Sequence, residues 1–214
     1  MLTSDSNTLI IKNLGLQSYL PVWQAMQDFS AQRKSDTNDE IWLLEHQPVF
    51  TLGKNGKAEH LLERSDIPLI NIDRGGQITY HGPGQLIVYL LIDIKRRGLG
   101  VRRLVTLIEQ SIINTLADYQ LNAYAKKEAP GVYIDEAKIA AVGLRIKKGC
   151  SFHGLSLNIS MDMTPFKTIN PCGYKDLQIV QLADFIKDVQ LSQVQEKLLS
   201  YLAKSMGYAR MMVK

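Results

Sequence analysis

From residue 131 onward, the apolar positions of the chain fall on every second residue. The stretches GVYID (131–135), KIAAVGLRI (138–146) and FHGLSLNIS (152–160) follow closely, and in the last Leu155, Leu157 and Ile159 alternate with Ser156, Asn158 and Ser160. A period of two marks a strand with one buried face. Three such strands in succession, with KKGC (147–150) as the turn between the last two, read as adjacent antiparallel strands. Elsewhere the spacing is helical. Tyr19, Val22, Trp23, Met26 and Phe29 make one apolar stripe, and Val101, Leu104, Val105, Ile108, Ile112 and Leu116 make a second, on a helix expected from Val101 to about Tyr119. Leu191, Val194, Leu198, Leu199 and Leu202 make a third. IWLLEH and PVFTLG read as strand pieces around Pro48, and a glycine-rich segment from Arg74 to Gln85 leads into an apolar strand at 86–94. The polar stretch AQRKSDTNDE (31–40) separates elements rather than domains, and there is no internal repeat. The expectation is one α/β (α+β) domain over 1–214, with a mixed, mostly antiparallel sheet covered by helices and no βαβ repeat.

With 214 residues the chain can bury a substantial core and carry a cleft. Two cysteines are too few for a disulfide framework, and MLTSDSNTLIIKNLG has no basic region leading into a long apolar run, so the chain reads as cytoplasmic with free thiols. The longest apolar run, LIVYLLIDI (86–94), is of strand length, well short of the roughly 20 residues that span a bilayer. The formal charge is +4, and Lys95, Arg96, Arg97, Arg102 and Arg103 cluster in KRRGLGVRR. No aromatic residues are interleaved to stack bases, which speaks against nucleic acid and leaves a solvated face or an acidic protein partner.

One of the two cysteines, Cys172, stands between Pro171 and Gly173 in INPCGY. Pro fixes φ, Gly permits positive φ and a close approach, and a thiol in such a turn becomes nucleophilic if a cation or base stabilises its thiolate. The ordinary alternative is a small buried hydrophobe. Cys150, beside two lysines on the KKGC turn, is a weaker rival. The base for either has several candidates. Four histidines are available, His46, His60, His81 and His153, and a cysteine–histidine dyad with His153 or His81 as partner is the default. Lys138, opening an otherwise apolar strand, is the other candidate, since apolar neighbours can desolvate an ammonium. Spacing alone does not choose. RGGQITYHGPGQ (74–85) holds four glycines in twelve residues, so its backbone approaches something closely, yet it fits neither G-x-G-x-x-G nor a P-loop. Gly154 interrupts a strand, as a bulge or a ligand contact does.

In their order along the chain, RGGQITYHGPGQLIVYLLID, KIAAVGLRI, GCSFHGLSLNIS and INPCGY closely resemble the lipoyl(octanoyl) transferases of protein lipoylation, from about residue 45 through 174. The resemblance implies the fold of the biotin/lipoate protein ligase catalytic domains. It implies that Cys172 carries the acyl group as a thioester with Lys138 as its partner. It also implies an acyl pocket from Arg74, Gly75, Gly76, Gln77, Ile78, Thr79, Tyr80 and His81, from Ala141, Val142 and Gly143, and from Gly154, Leu155 and Ser156. No cofactor or metal is implied. The implied donor is octanoyl-acyl carrier protein, and the implied acceptors are lipoyl domains of 2-oxoacid dehydrogenase complexes and the glycine cleavage H protein, with no nucleic acid or membrane involved. Two alternatives remain at this point: an ATP-dependent lipoate–protein ligase on the same fold, and a non-catalytic acyl or lipoyl-domain binding module.

Overall fold

The computed structural model describes residues 7–63 and 65–214. In chain order the elements are β1 (Thr8–Gln17), α1 (Tyr19–Gln32), β2 (Asp39–His46), β3 (Val49–Leu52), β4 (Leu69–Asn71), β5 (Ile78–His81), β6 (Gln85–Leu91), α2 (Val101–Ala117), β7 (Tyr124–Ala125), β8 (Gly131–Ile134), β9 (Ala137–Lys147), β10 (Cys150–Asn158), α3 (Leu191–Ser205) and β11 (Arg210–Val213). Eight strands form one sheet in the order β11-β1-β2-β6-β10-β9-β8-β7, and β4-β3-β5 form a second. In the large sheet β1 runs parallel to β11 and β2, while every pair from β2 to β7 is antiparallel. In the small sheet β3 is parallel to β4 and antiparallel to β5.

The apolar run in the middle of the chain is β6, which lies near the centre of the large sheet and is buried on both faces. Leu86, Val88 and Leu90 enter the core shared with Leu104, Ile108 and Ile112 of α2 and Val194, Leu198 and Leu202 of α3. Ile87, Tyr89 and Leu91 enter a second core with Val22 and Met26 of α1. Apolar residues on both faces leave no alternation to read. The strand ends at Leu91 rather than 94, because Asp93 turns the chain towards α2.

Two strands of the sheet have no counterpart in the sequence reading. In β1 only the first four residues, Thr8 to Ile11, are buried, and the rest alternates weakly, so its parallel pairing with β2 across α1 is a single β–α–β crossover. All four residues of β11 are exposed. The expectation that the chain starts without a leader rests on a stretch that includes residues 1–6, which lie outside the described residues. No helix among the described residues is long and apolar enough to cross a membrane.

The β9–β10 hairpin closes as expected through Lys148 and Gly149, both at positive φ (52° and 81°), the geometry of a two-residue hairpin turn that follows the strand twist. Within β9 the register against β8 shifts between Val132 and Tyr133, whose partners are Ala140 and Lys138. The extra residue, Ile139, and Ala140 both enter the helix-covered core. This bulge takes Lys138 out of that core's alternation and sets it opposite Tyr133.

Two of the five residues of the expected basic cluster are structural. The Asp39 carboxylate is fully buried and pairs with Arg33, with Arg96 at 2.8 Å and with Arg97 at 3.5 Å. It also accepts the Tyr208 hydroxyl at 2.6 Å and the Asp93 N–H at 2.8 Å. One side chain therefore joins the end of α1, the start of β2, the loop after β6 and the turn before β11. Lys95, Arg102 and Arg103 remain exposed. Neutralising Asp39 removes the counter-charge that three guanidinium groups share, so Asp39→Asn is expected to cost about 3–5 kcal/mol. A thermal melt indistinguishable from wild type would refute this role.

Candidate functional site

A cavity of about 410 Å³ opens between the small sheet and the β6–β10–β9 part of the large one, a size suited to a small ligand. One wall is β5 and the glycine segment before it, the opposite wall is β9 and β10 where Gly143 and Gly154 face each other across the ladder. A Cβ on Gly154 would collide with the Val88 carbonyl oxygen at 2.0 Å, and one on Gly143 would press on Arg74 Cδ at 3.2 Å. Tyr19, Ile87, Tyr89, Val101, Val105, the 128–130 segment and Tyr174 also line the cavity.

Cys172 and Lys138 meet at this cavity. Lys138 is only 4% exposed, not a solvated strand start. Its Nζ donates to Cys172 Sγ and to the Pro130 carbonyl, each at 3.2 Å, and lies 5.2 Å from the Tyr133 ring centre. Burial pulls the Lys138 pKa down, but the charges of Cys172 and then Tyr133 outweigh it, and the net direction is upward. The ammonium is thus kept at neutral pH. The Cys172 turn is built from the backbone: Asn170 N–H donates to the His60 carbonyl at 2.8 Å and Gly173 N–H to the Asn170 carbonyl at 2.9 Å. Cys172 takes φ 57° and Gly173 φ 79°. A left-handed cysteine is held against its own preference, as functional turns often are. A Cβ on Gly173 would come within 2.7 Å of Gln77 Cγ, so the glycine lets Gln77 pack against the turn.

Arg74 extends along the cavity wall, with Nη2 donating to the Thr51 carbonyl and Oγ1 at 2.9 and 2.8 Å and Nη1 to the Gly75 carbonyl at 2.9 Å. Behind it stands a set of buried groups held neutral. His46 Nδ1–H donates to the Gln17 carbonyl at 3.1 Å, which leaves Nε2 to accept the Tyr89 hydroxyl at 2.7 Å. His81 Nδ1–H donates to Gln85 Oε1 at 2.7 Å, and the Gln85 amide in turn donates to Asn158. Burial is the largest cause in both, and takes His46 down to about 4 and His81 down to about 3. His153, at φ 60°, turns its ring to Asp73, 3.0 Å away, yet burial still lowers its pKa. The histidine nitrogens with hydrogen bonds thus engage other groups, and the hydrogen-bond partner of the Cys172 sulfur is lysine. Cys150 stands apart, at the hairpin near Asp93, and burial pushes its thiol up, contrary to a lysine-activated thiolate.

Of the residues expected to form the pocket, Arg74, Gly75, Gly76, Gln77, Ile78, Thr79, His81, Ala141, Val142, Gly143, Gly154, Leu155 and Ser156 all line the cavity. Tyr80 does not. It is 2% exposed and packs against Phe50 and Phe166, because alternation along β5 turns it away from Thr79 and His81. Tyr19, Tyr89, Val101 and Val105 line the cavity without having been expected there; each sits in an apolar stripe or run that reads as ordinary core.

The lipoyl protein ligase A/B catalytic domain family model matches residues 18–203. An octanoyltransferase of Hahella chejuensis is 55% identical over 206 residues, covering 96% of this chain and 92% of that protein. Among solved structures, a bi-partite lipoate protein ligase from an archaeal lipoylation system of Thermoplasma acidophilum superposes with a TM-score of 0.70 at 15% identity, covering 97% and 84% of the two chains. A biotin protein ligase of Aquifex aeolicus in complex with biotin and ATP gives 0.58 at 14% identity, covering 92% and 69%. These likenesses bear out the expected fold class.

The buried histidines make stability depend on pH in a definite direction. An unfolded chain protonates histidine near pH 6.5, whereas His46 and His81 stay neutral in the fold down to about 4 and about 3. Between those values the unfolded state binds more protons, so stability is complete above about 6.5 and falls as the pH falls. From pH 7 to pH 5 each histidine is expected to cost about 2 kcal/mol. Melting temperatures that stay level over that range would contradict their buried, neutral state.

Proposed function

The chain belongs to the lipoyl protein ligase A/B catalytic family and, within it, to the octanoyltransferases of protein lipoylation, and from that premise we propose that Cys172 carries the octanoyl group while Lys138 moves the protons. The observation that carries this reading is the 3.2 Å contact between Lys138 Nζ and Cys172 Sγ at an acyl-sized cavity. The reacting form of the pair is ammonium beside thiolate. The thiolate attacks the carbonyl carbon of an octanoyl thioester, the tetrahedral adduct collapses, and the C–S bond to the carrier breaks. The departing carrier thiol takes its proton from the Lys138 ammonium. The neutral amine of an acceptor lysine then attacks the acyl-enzyme and gives its proton back to Lys138. The C–Sγ bond breaks, leaving a stable amide and the original ion pair. Exchange between two thioesters is nearly balanced, so no ATP enters.

Burying the six methylenes of the chain would contribute about 5 kcal/mol at about 0.8 kcal/mol each. The acceptors are lipoyl domains in general; the finer proposal is that the donor is octanoyl-acyl carrier protein and the acceptors are the lipoyl domains of 2-oxoacid dehydrogenase complexes and the glycine cleavage H protein, in the cytoplasm. Lys95, Arg102 and Arg103 are the exposed charges of the basic cluster that remain to attract an acidic domain. An ATP-dependent ligase on this fold would activate its acid as an adenylate and give a lysine-paired cysteine nothing to do. A binding module would not need the pair at all.

Mass spectrometry after mixing with octanoyl-acyl carrier protein, without ATP, is expected to show one octanoyl increment, kept in Cys150→Ala and lost in Cys172→Ala. Added salt should slow loading from the carrier protein while leaving loading from a small octanoyl thioester unchanged. An adduct that needs ATP, or one that survives Cys172→Ala, would sink the proposed mechanism.

A further inference from the structure

Glu109 is a buried carboxylate, 9% exposed, on the inner face of α2. It continues the line of Val101 and Val105, the two α2 residues on the cavity wall, at the next i+4 position. Its Oε1 accepts the Gly131 N–H at 2.9 Å, and no ion pair of the described residues includes it. Gly131 lies directly against the arm of Lys138. Its φ is +135°, and a Cβ there would stand 2.5 Å from the Ala140 carbonyl oxygen, 3.2 Å from Lys138 Cε and 3.4 Å from Lys138 Nζ. The preceding carbonyl, that of Pro130, accepts from Lys138 Nζ at 3.2 Å. The carboxylate, one glycine and the ammonium are therefore stacked in series.

A glutamine could accept the Gly131 N–H equally well without the cost of burying a charge. The charge itself needs a reason, and the ammonium across Gly131 is a charge that bears on it. Burial raises the Glu109 pKa, while the Gly131 N–H and the field of Lys138 act the other way. We propose that Glu109 is a positioning residue for Lys138: it anchors the Pro130–Gly131 backbone that holds the ammonium, and its charge favours the protonated lysine. The inference rests on the reading of Lys138 and Cys172 given above. The other groups that bear on Lys138 are the Cys172 sulfur on the cavity side and the Tyr133 ring beside it, with Lys126 over the same ring at 4.5 Å. Arg74 acts on the pair through the charge of Cys172.

Glu109→Gln separates anchoring from charge, because it keeps the backbone acceptor. The Lys138 side chain can be titrated directly by its 13Cε resonance, assigned by its loss in Lys138→Arg, with no substrate present. In Glu109→Gln that titration is expected to move to lower pH by about one unit, and single-turnover acylation of Cys172 by a small octanoyl thioester to slow about tenfold, with KM little changed and the melting temperature not lowered. Glu109→Asp keeps the charge but withdraws it from Gly131; its lysine titration should stay near wild type while acylation slows. An unmoved Lys138 titration in Glu109→Gln overturns the proposal, as does a wild-type acylation rate in both variants. If the wild-type protein itself never acylates at Cys172, the reading of the pair fails, and the lysine titration still decides the role of Glu109.

Discussion

Lys138 is gripped through its own backbone as well as its side chain. Its N–H donates to the Gln178 carbonyl at 2.8 Å and its carbonyl accepts the Val180 N–H at 3.0 Å, a parallel bridge that ties β9 to the segment just beyond Cys172. That tie brings the chain after the turn to the lysine's own peptide. The segment before the turn is fixed independently, through the Leu61–Ile169 bridge and the Asn170–His60 hydrogen bond. Beneath it lies the core of Phe50, Leu52, Ile78, Tyr80, Phe166 and Ile169. With both flanks held, the short turn between has little freedom left. The 3.2 Å contact between ammonium and sulfur is thus a consequence of strand pairing rather than of two long side chains finding each other.

The surroundings of that contact separate two electrostatic settings. Burial keeps one set of groups uncharged, His81 on the cavity wall and His46 behind it. Near Cys172 the charge is concentrated, with Lys138 in contact, Arg74 within its field and Glu109 one glycine behind. The Arg74 guanidinium on the wall bridges the two, bearing on Tyr19 and Tyr89 as well as on Cys172. Low local polarity strengthens the remaining charged contacts, as preorganised sites require.

Much of this was legible in the sequence because it is local. The period-two strands β8 to β10, the three helices and the glycine segment 74–85 all announce themselves within a dozen residues. The cysteine turn was legible for the same reason, since Pro171 and Gly173 flank the thiol. What was hidden depends on distant partners. Arg96 and Arg97 look like a solvated basic face until Asp39, more than fifty residues earlier, is placed against them. The burial of Lys138 depends on a one-residue bulge opposite β8, which no periodicity reveals. Glu109 lies within an otherwise apolar stripe, and its purpose is visible only once Gly131 and Lys138 are beside it. β11 has no buried face to give it a pattern, and pairs through its backbone alone.

In the proposed mechanism Lys138 acts chemically on Cys172 rather than merely filling space beside it. Rapid-quench measurement of acyl-enzyme formation in Lys138→Met, which keeps the length and bulk of the arm but has no ammonium, tests this most directly. The expected rate is lower by about 10²–10⁴-fold, with the acyl group still found on Cys172 and the fold intact by its melting temperature. Acylation of Lys138→Met at the wild-type rate would contradict it.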